Sequence, residues 1–246
     1  MEKYEVFSTV LKTIENDDIR EFATSYLKDT PDWFYEVAAS SSGLYHSPIS
    51  LGPGGLARHT IGATKILNWM LDIESIGCNF TNREKDLMRV AIIVHDSRKQ
   101  GEKESKKHTV FEHPLYAAQA VMNHQCSIDL PEEEKKYIAE CIVSHMGQWN
   151  TNKRSKTELP KPTKLNQILV HLADYLSSRR ELTIDFSNDN NIRLPERPTV
   201  ETYRFTFGKY SGMSLTDVVE KHYDYIDWLR SSNYSREPLA SLLKEV

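Results

Sequence analysis

Cysteine is scarce in this chain: Cys78, Cys126 and Cys141 are the three among 246 residues. Their number and scatter exclude a disulfide framework and a thiolate zinc site. An excess of positive charge is missing too. Thirty-one Lys and Arg face thirty-five Asp and Glu, a net charge of −4. Binding to a polyanion therefore has to come from a local patch and not from the whole surface. Long apolar runs are absent: the longest, Val90 to Val94, falls far short of the ~20 residues of a membrane-spanning helix. The opening residues, Met1-Glu2-Lys3-Tyr4-Glu5, lack the charged-then-apolar order of a signal peptide. What remains is 39% apolar and 27% charged, the composition of a globular protein long enough to bury a core. The expectation is a cytoplasmic protein without a membrane partner, and the nine histidines become the residues to follow.

The first three quarters read as helix after helix. Apolar positions at helical spacing run from about Tyr4 to Leu27 and break at Thr30-Pro31. A loop rich in Gly and Pro spans 47–55, and the helix after it carries a stripe at Ala63, Ile66, Leu67 and Met70. Thr81-Asn82 caps a helix that buries Leu87, Val90, Ala91 and Val94, and Pro114 and Pro131 open two more. A last helix is predicted over about Leu165 to Leu182. Near Asp185 the composition shifts to Ser, Asn, Asp and Pro, a linker signature over 187–201. Beyond it, Tyr203, Phe205 and Phe207 alternate with polar residues as in a strand, Gly208 to Gly212 reads as its turn, and two short helical patterns close the chain. The expected fold is mainly all-α over 1–186, followed by a small α+β module over 202–246.

Titratable residues fall on the apolar stripes of these helices. His59 precedes Ala63 by one turn, His95-Asp96 ends the helix that buries Val94, and His113 stands before Pro114. His145 follows Cys141 and Ile142 at +4 and +3, and Asp174 lies between Ala173 and Leu176. A lone inward histidine is more often a hydrogen-bonded core residue than a ligand, and Asp174 alone reads as an ion-pair partner of Arg179 or Arg180. Burying so many imidazoles and carboxylates on successive helices is costly unless they are paired or ligated. Convergence on metal explains the ordered set most economically.

That set, His, His-Asp, His, His, Asp, resembles the HD-domain metal-dependent phosphohydrolase superfamily, an all-helical fold. Gly54-Gly55-Leu56-Ala57-Arg58-His59-Thr60 is similar to its first motif. Within the superfamily the pattern is most similar to the YhaM-type exoribonucleases, where a helical preamble and a His-containing loop, here Tyr45-His46, precede the Gly-Gly-Leu motif. Ser144-His145-Met146-Gly147 and Leu172-Ala173-Asp174-Tyr175-Leu176 are similar to the later motifs, and the resemblance covers about 14–182. Two departures bear on substrate choice: Ser97-Arg98-Lys99 replaces an apolar-Gly-Lys stretch, and Met146 stands where some relatives have a second histidine.

The resemblance implies divalent metal, and imidazole and carboxylate ligands suit Mn, Fe, Ni, Zn or Mg. His59, His95, Asp96, His113, His145 and Asp174 are more ligands than one ion takes beside water and substrate, so two ions bridged by Asp96 are expected, with a bridging hydroxide as nucleophile. Arg98 and Lys99 are the expected catalytic cations beside Asp96. Lys99 is an expected phosphate contact. Lys103, with Lys106 and Lys107, forms a basic loop that reads equally as phosphate contact or as solvated surface. His46 reads as a contact to phosphate or the second metal or, more in keeping with a loop residue, as a hydrogen-bonding loop anchor. The C-terminal segment Phe205-Thr206-Phe207-Gly208-Lys209-Tyr210-Ser211-Gly212, with Tyr225-Ile226-Asp227-Trp228-Leu229, resembles the small domain that ends exonuclease X-like nucleases. Phe205, Phe207 and Trp228 are read as its core, and Lys209 and Tyr210 as contacts to substrate. Together these features point to a phosphodiesterase, an exonuclease on single-stranded RNA or DNA. The alternatives are a nucleotide phosphohydrolase acting on a dNTP, mononucleotide or cyclic nucleotide, and an inactive metal-binding HD adaptor.

Overall fold

A computed structural model describes residues 2–40, 46–102, 109–179, 182–189, 191–192, 194, 198–232, 234 and 238–246. The chain forms two compact units, Met1–Arg193 and Leu194–Val246.

Local signals set the helices of the first unit. Helix α1 (Asp17–Lys28) starts where the Asn16 side chain accepts from the amide of Ile19. Helix α2 (Gly55–Asp72) follows Gly54, whose φ of +71° needs a residue without a side chain. At Gly55 a Cβ would stand 2.2 Å from the Ser50 carbonyl oxygen, so the glycine pair is a close-packing requirement. The buried Arg58 then pins the preceding loop by donating to the carbonyls of Leu51 and Pro53, at 2.7 and 2.9 Å. Thr81 and Glu84 form a capping box at the start of α3 (Asn82–Val94). Pro114 lies in the first turn of α4 (His113–Asn123), and three glutamates occupy the first turn of α5 (Glu132–Val143). Helix α6 (Leu165–Ser177) ends the series.

Helix α3 is the central element. It packs against α1, α2, α5 and α6, while α2 pairs with α6 and α4 with α5. Neighbours on all sides explain why Val90, Ala91, Ile92, Ile93 and Val94 are all fully buried: the apolar run has no solvent face to keep polar. Each of the valines and isoleucines contributes roughly 1.5–3 kcal/mol. Residues just beyond α6 also belong to this unit. Asp189, in the segment expected to be linker, is buried, bonds the Thr9 hydroxyl, and pairs with Lys65 at 2.5 Å.

The second unit has its own core of Phe205, Leu215, Val218, Ile226, Leu229 and Leu239. Its helices are α7 (Leu215–Lys221) and α8 (Tyr223–Ser231). The strand expected over 203–207 shrinks to an isolated antiparallel bridge between Arg204 and Ser214. The pairing ends at once because the Ser214 side chain accepts from the amide of Asp217 and starts α7. Two aromatic assignments also change. Tyr210 is buried, stacked on His222 at 4.4 Å, whereas Trp228 is 57% exposed on the outer side of Tyr225. Ile226 and Leu229, three apart on α8, take the core face and leave Trp228 off it.

Among the described residues no helix is long and apolar enough to cross a membrane.

Candidate metal centre

His59 lies in the first turns of α2, His95 caps the C-terminus of α3 with Asp96 next, and His113 starts α4. His145 follows the end of α5, and Asp174 lies in the last turn of α6. The fold brings all of them together. His59 Nε2 is 2.9 Å from Asp174 Oδ1. His95 Nε2 is 3.4 Å from Asp96 Oδ2 and 3.5 Å from Asp174 Oδ1. On the other side of the same carboxylate, Asp96 Oδ1 is 3.0 Å from His113 Nε2 and 3.9 Å from His145 Nε2.

The opposite ring nitrogens decide what these contacts are. His95 Nδ1 donates to the Ile92 carbonyl, His113 Nδ1 to Val110 and His145 Nδ1 to Ile142, each at 2.7 Å. A carbonyl only accepts, so Nδ1 carries the proton in all three rings. At His59 the partner is Ser177 Oγ at 2.9 Å, and that hydroxyl donates its own proton to the Asp174 carbonyl. With Nδ1 committed, every Nε2 faces the cluster with a lone pair unless an added proton sits there. Lone pairs therefore meet carboxylate oxygens and each other, as at the 3.3 Å approach of His113 Nε2 to His145 Nε2. His95 Nε2 and Asp96 Oδ1 are buried with no hydrogen-bond partner. Left so, each costs about 1–3 kcal/mol. Acceptors converging on acceptors call for a cation, and the ring orientation fixed through Nδ1 is that of metal-binding imidazoles.

The electrostatics agree. Burial works against charge on His95, but Asp96 and Asp174 outweigh it and draw its pKa up to about 10. Burial and the neighbouring His95 bring His145 down to about 3. Burial raises the carboxyls of Asp96 and Asp174, yet Lys99 and His95 beside the first, and His59 and His95 beside the second, hold both well below the carboxylate range. The carboxylates stay ionised and recruit a proton where a cation would stand. Two triads, His59-His95-Asp174 and His95-Asp96-His145, have ligand atoms all within 4.8 Å of one another, so the residues fit a divalent metal.

The other expected site residues divide. Lys99 Nζ donates to Asp96 Oδ2 at 2.5 Å and lies at the edge of the cluster. His46 packs edge-on against His59, ring centroids 5.2 Å apart, with its Nδ1 buried and unpartnered. Burial, with the charge of His59, pulls its pKa down to about 3. Arg98 is directed elsewhere: its guanidinium lies 5.5 Å over the Tyr26 ring and donates to the Ser97 carbonyl. Lys103 lies outside the described residues, as do Lys106, Lys107 and Tyr45. Lys209 is exposed in the second unit, its ammonium 5.1 Å over the Tyr210 ring. Tyr210, expected to contact substrate, instead has its ring in that unit's core. Arg179 lies over Tyr175 and not against Asp174.

Two supporting residues escape the sequence reading. Ser177 orients His59, and His171 donates from Nδ1 to the His145 carbonyl at 2.6 Å. Their spacing of three on either side of Asp174 puts all on one face of α6, and that spacing is the signal that finds them.

Comparison with family models finds two matches: the HD domain over 56–179 and the Exodeoxyribonuclease X-like C-terminal domain over 205–230. Comparison with curated proteins finds no match, and comparison with solved structures finds none. The HD match spans about half the chain and takes in every member of the His/Asp cluster. The chain therefore belongs to the HD-domain family, and at that level it is a metal-dependent phosphohydrolase.

Proposed function

We propose that the chain binds two divalent ions and hydrolyses phosphodiesters of single-stranded nucleic acid as an exonuclease. The observation that carries the metal count is the split of the Asp96 carboxylate. Oδ2 faces His95 and, at 3.9 Å, His59; Oδ1 faces His113 and His145. His59, His95, Asp96 and Asp174 would hold one ion and Asp96, His113 and His145 the other, with Mn, Fe, Ni, Zn and Mg all compatible with these donors. When bound, such a pair acidifies water and neutralises charge on phosphoryl oxygens.

The chain's own residues prepare the site. The carbonyls of Ile92, Val110 and Ile142 aim three imidazoles inward, so no reorganisation is needed when the ligands are used. Lys99 holds Asp96 Oδ2 and, with 13% of its side chain exposed, sets a positive charge at the edge where a phosphate arrives. Neutral His46 closes the side next to His59. The exonuclease X-like match supports a nucleic-acid substrate for the same chain.

The deciding experiment incubates metal-reconstituted protein with labelled single-stranded RNA, single-stranded DNA and a panel of free nucleotides. Mononucleotides released from the strand support the exonuclease. Turnover of free nucleotides alone replaces it with a nucleotide phosphohydrolase. Silence with every metal leaves a binding adaptor.

A further inference from the structure

The cluster opens in few places. The side chains of His59, His95, Asp96, His113 and His145 are at most 2% exposed, against 21% for Asp174. Asp174 and, at the edge of the cluster, Lys99, with 13% of its side chain exposed, are open to solvent. Tyr175 follows Asp174 directly, and Trp149 is stacked on its ring at 5.4 Å with 28° between the planes. Arg179, two residues past the end of α6, lies 4.4 Å over the same ring. Trp149 nevertheless keeps 47% of its surface exposed. The His171 ring also meets the indole, tilted, at 6.4 Å and 59°, and the exposed part of the indole is surface that a further ring can cover.

This platform is fixed to the cluster twice. Trp149 ends a single turn, Gly147–Trp149, that rests on His171, the residue that holds the His145 carbonyl. Gly147 has φ +56°, and a Cβ there would lie 2.1 Å from the His171 ring, so the turn cannot sit closer with any other residue. Past Trp149, Asn150 donates to the Leu159 carbonyl and accepts from its amide, closing a loop. The Ser155 hydroxyl bonds Glu112, the residue before His113. The loop exposes Lys153, Arg154 and Lys156, and no ion pair neutralises them among the described residues. In a chain of net charge −4, three cations against one carboxylate, Glu158, in the loop that follows Trp149 make a locally positive segment suited to a polyanion.

We propose that Trp149, backed by Tyr175 and Arg179 and flanked by these cations, is a nucleobase-stacking subsite for single-stranded nucleic acid whose phosphate lies at the cluster. The inference rests on the phosphodiesterase reading and names what lies beside the scissile group. Base–aromatic stacking accepts any base, while the cations track the backbone. A duplex, whose bases are already stacked, has no free face to offer.

The test measures binding of the full chain, in chelator and so without turnover, to fluorescein-labelled oligothymidylate and to an abasic strand of equal length. Wild type binds the base-bearing strand more tightly. Trp149→Ala weakens binding of oligothymidylate by roughly tenfold, the scale of one stack, and leaves the abasic strand unchanged. Trp149→Phe restores most of the difference, and Trp69→Ala, a change at an exposed indole on α2, behaves as wild type. Equal losses on both strands, or no loss on either, overturn the subsite. The phosphodiesterase reading fails separately, if metal-loaded wild type binds the strand and releases nothing from it.

Discussion

Ser177 accepts the Nδ1 proton of His59 at 2.9 Å and gives its own to the carbonyl of Asp174 at 2.8 Å. One hydroxyl thus sets the tautomer of an imidazole and ties it to the backbone of the residue, 115 positions away in the chain, whose carboxylate faces the other ring nitrogen. A group that acts on a ligand through its second nitrogen changes affinity without touching the ion.

Ser177→Ala is therefore expected to weaken metal binding by about 10–100-fold while the melting temperature of the metal-free protein stays close to wild type. Titration of the ion against a chelator of known affinity, together with a thermal melt, checks both halves. Unchanged affinity removes Ser177 from the site.

Asp96→Ala should abolish metal-dependent turnover, because both oxygens of the carboxylate face imidazoles and no neighbouring carboxylate reaches both groups. Elemental analysis should give two ions per wild-type chain, falling toward one in His113→Ala or His145→Ala. Full activity in folded Asp96→Ala would falsify the site. A single ion unaffected by either histidine change would restrict it to His59, His95, Asp96 and Asp174.

Away from the site, Asp86 joins α1 to α3. It is 1% exposed and accepts from the amides of Glu15 and Asn16 and from Arg89, at 3.1, 2.8 and 2.7 Å. Asp86→Ala leaves two amides unpaired and a buried guanidinium with the Asn68 side chain but no counter-charge, an expected loss of about 3–5 kcal/mol in chemical denaturation. Asp86→Asn keeps an acceptor and should lose less. Equal losses in both variants would mean that packing, and not the carboxylate, holds α1.

His124 supplies a pH dependence. Its ring packs edge-on to Phe22 and Tyr26, and burial, opposed by Asp29 and Asp129 and reinforced by Lys135 and Arg98, lowers its pKa. The folded state thus takes up this proton at lower pH than the unfolded state. Its contribution to stability is complete above the ordinary value of ~6.5 and erodes as pH falls below it. His124→Gln should melt with a shallower loss on acidification than wild type. Parallel curves would assign the acid sensitivity to other groups.

Much of this architecture is legible in the sequence because its determinants are local. The Thr81–Glu84 box, Pro114 and the Gly54-Gly55 pair each act within a turn or two of themselves, and they place helices where patterning expects them. The ordered histidines and aspartates are legible because burying so many titratable groups on apolar stripes needs a common reason. Phe205 and Phe207 alternate like a strand, but whether a strand forms depends on a partner segment, and that partner departs into α7 after Ser214.

The direction of side chains is what local pattern leaves open. Arg98 adjoins Ser97 and Asp96, yet Tyr26 on α1 draws it away from the carboxylate. Tyr210 and Trp228 exchange their expected places because the packing of α8, not aromatic character, selects which ring is covered. The i−3 carbonyls that tie His95, His113 and His145, the hydroxyl of Ser177 across from His59, and the stack of Trp149 on Tyr175 emerge only once the helices are packed. By itself the sequence determined the helices and the metal-binding residue types, since propensity, capping and burial patterns are read over a few neighbouring residues. Tertiary structure alone decided tautomer, orientation and exposure, since those depend on atoms contributed by distant segments of the chain.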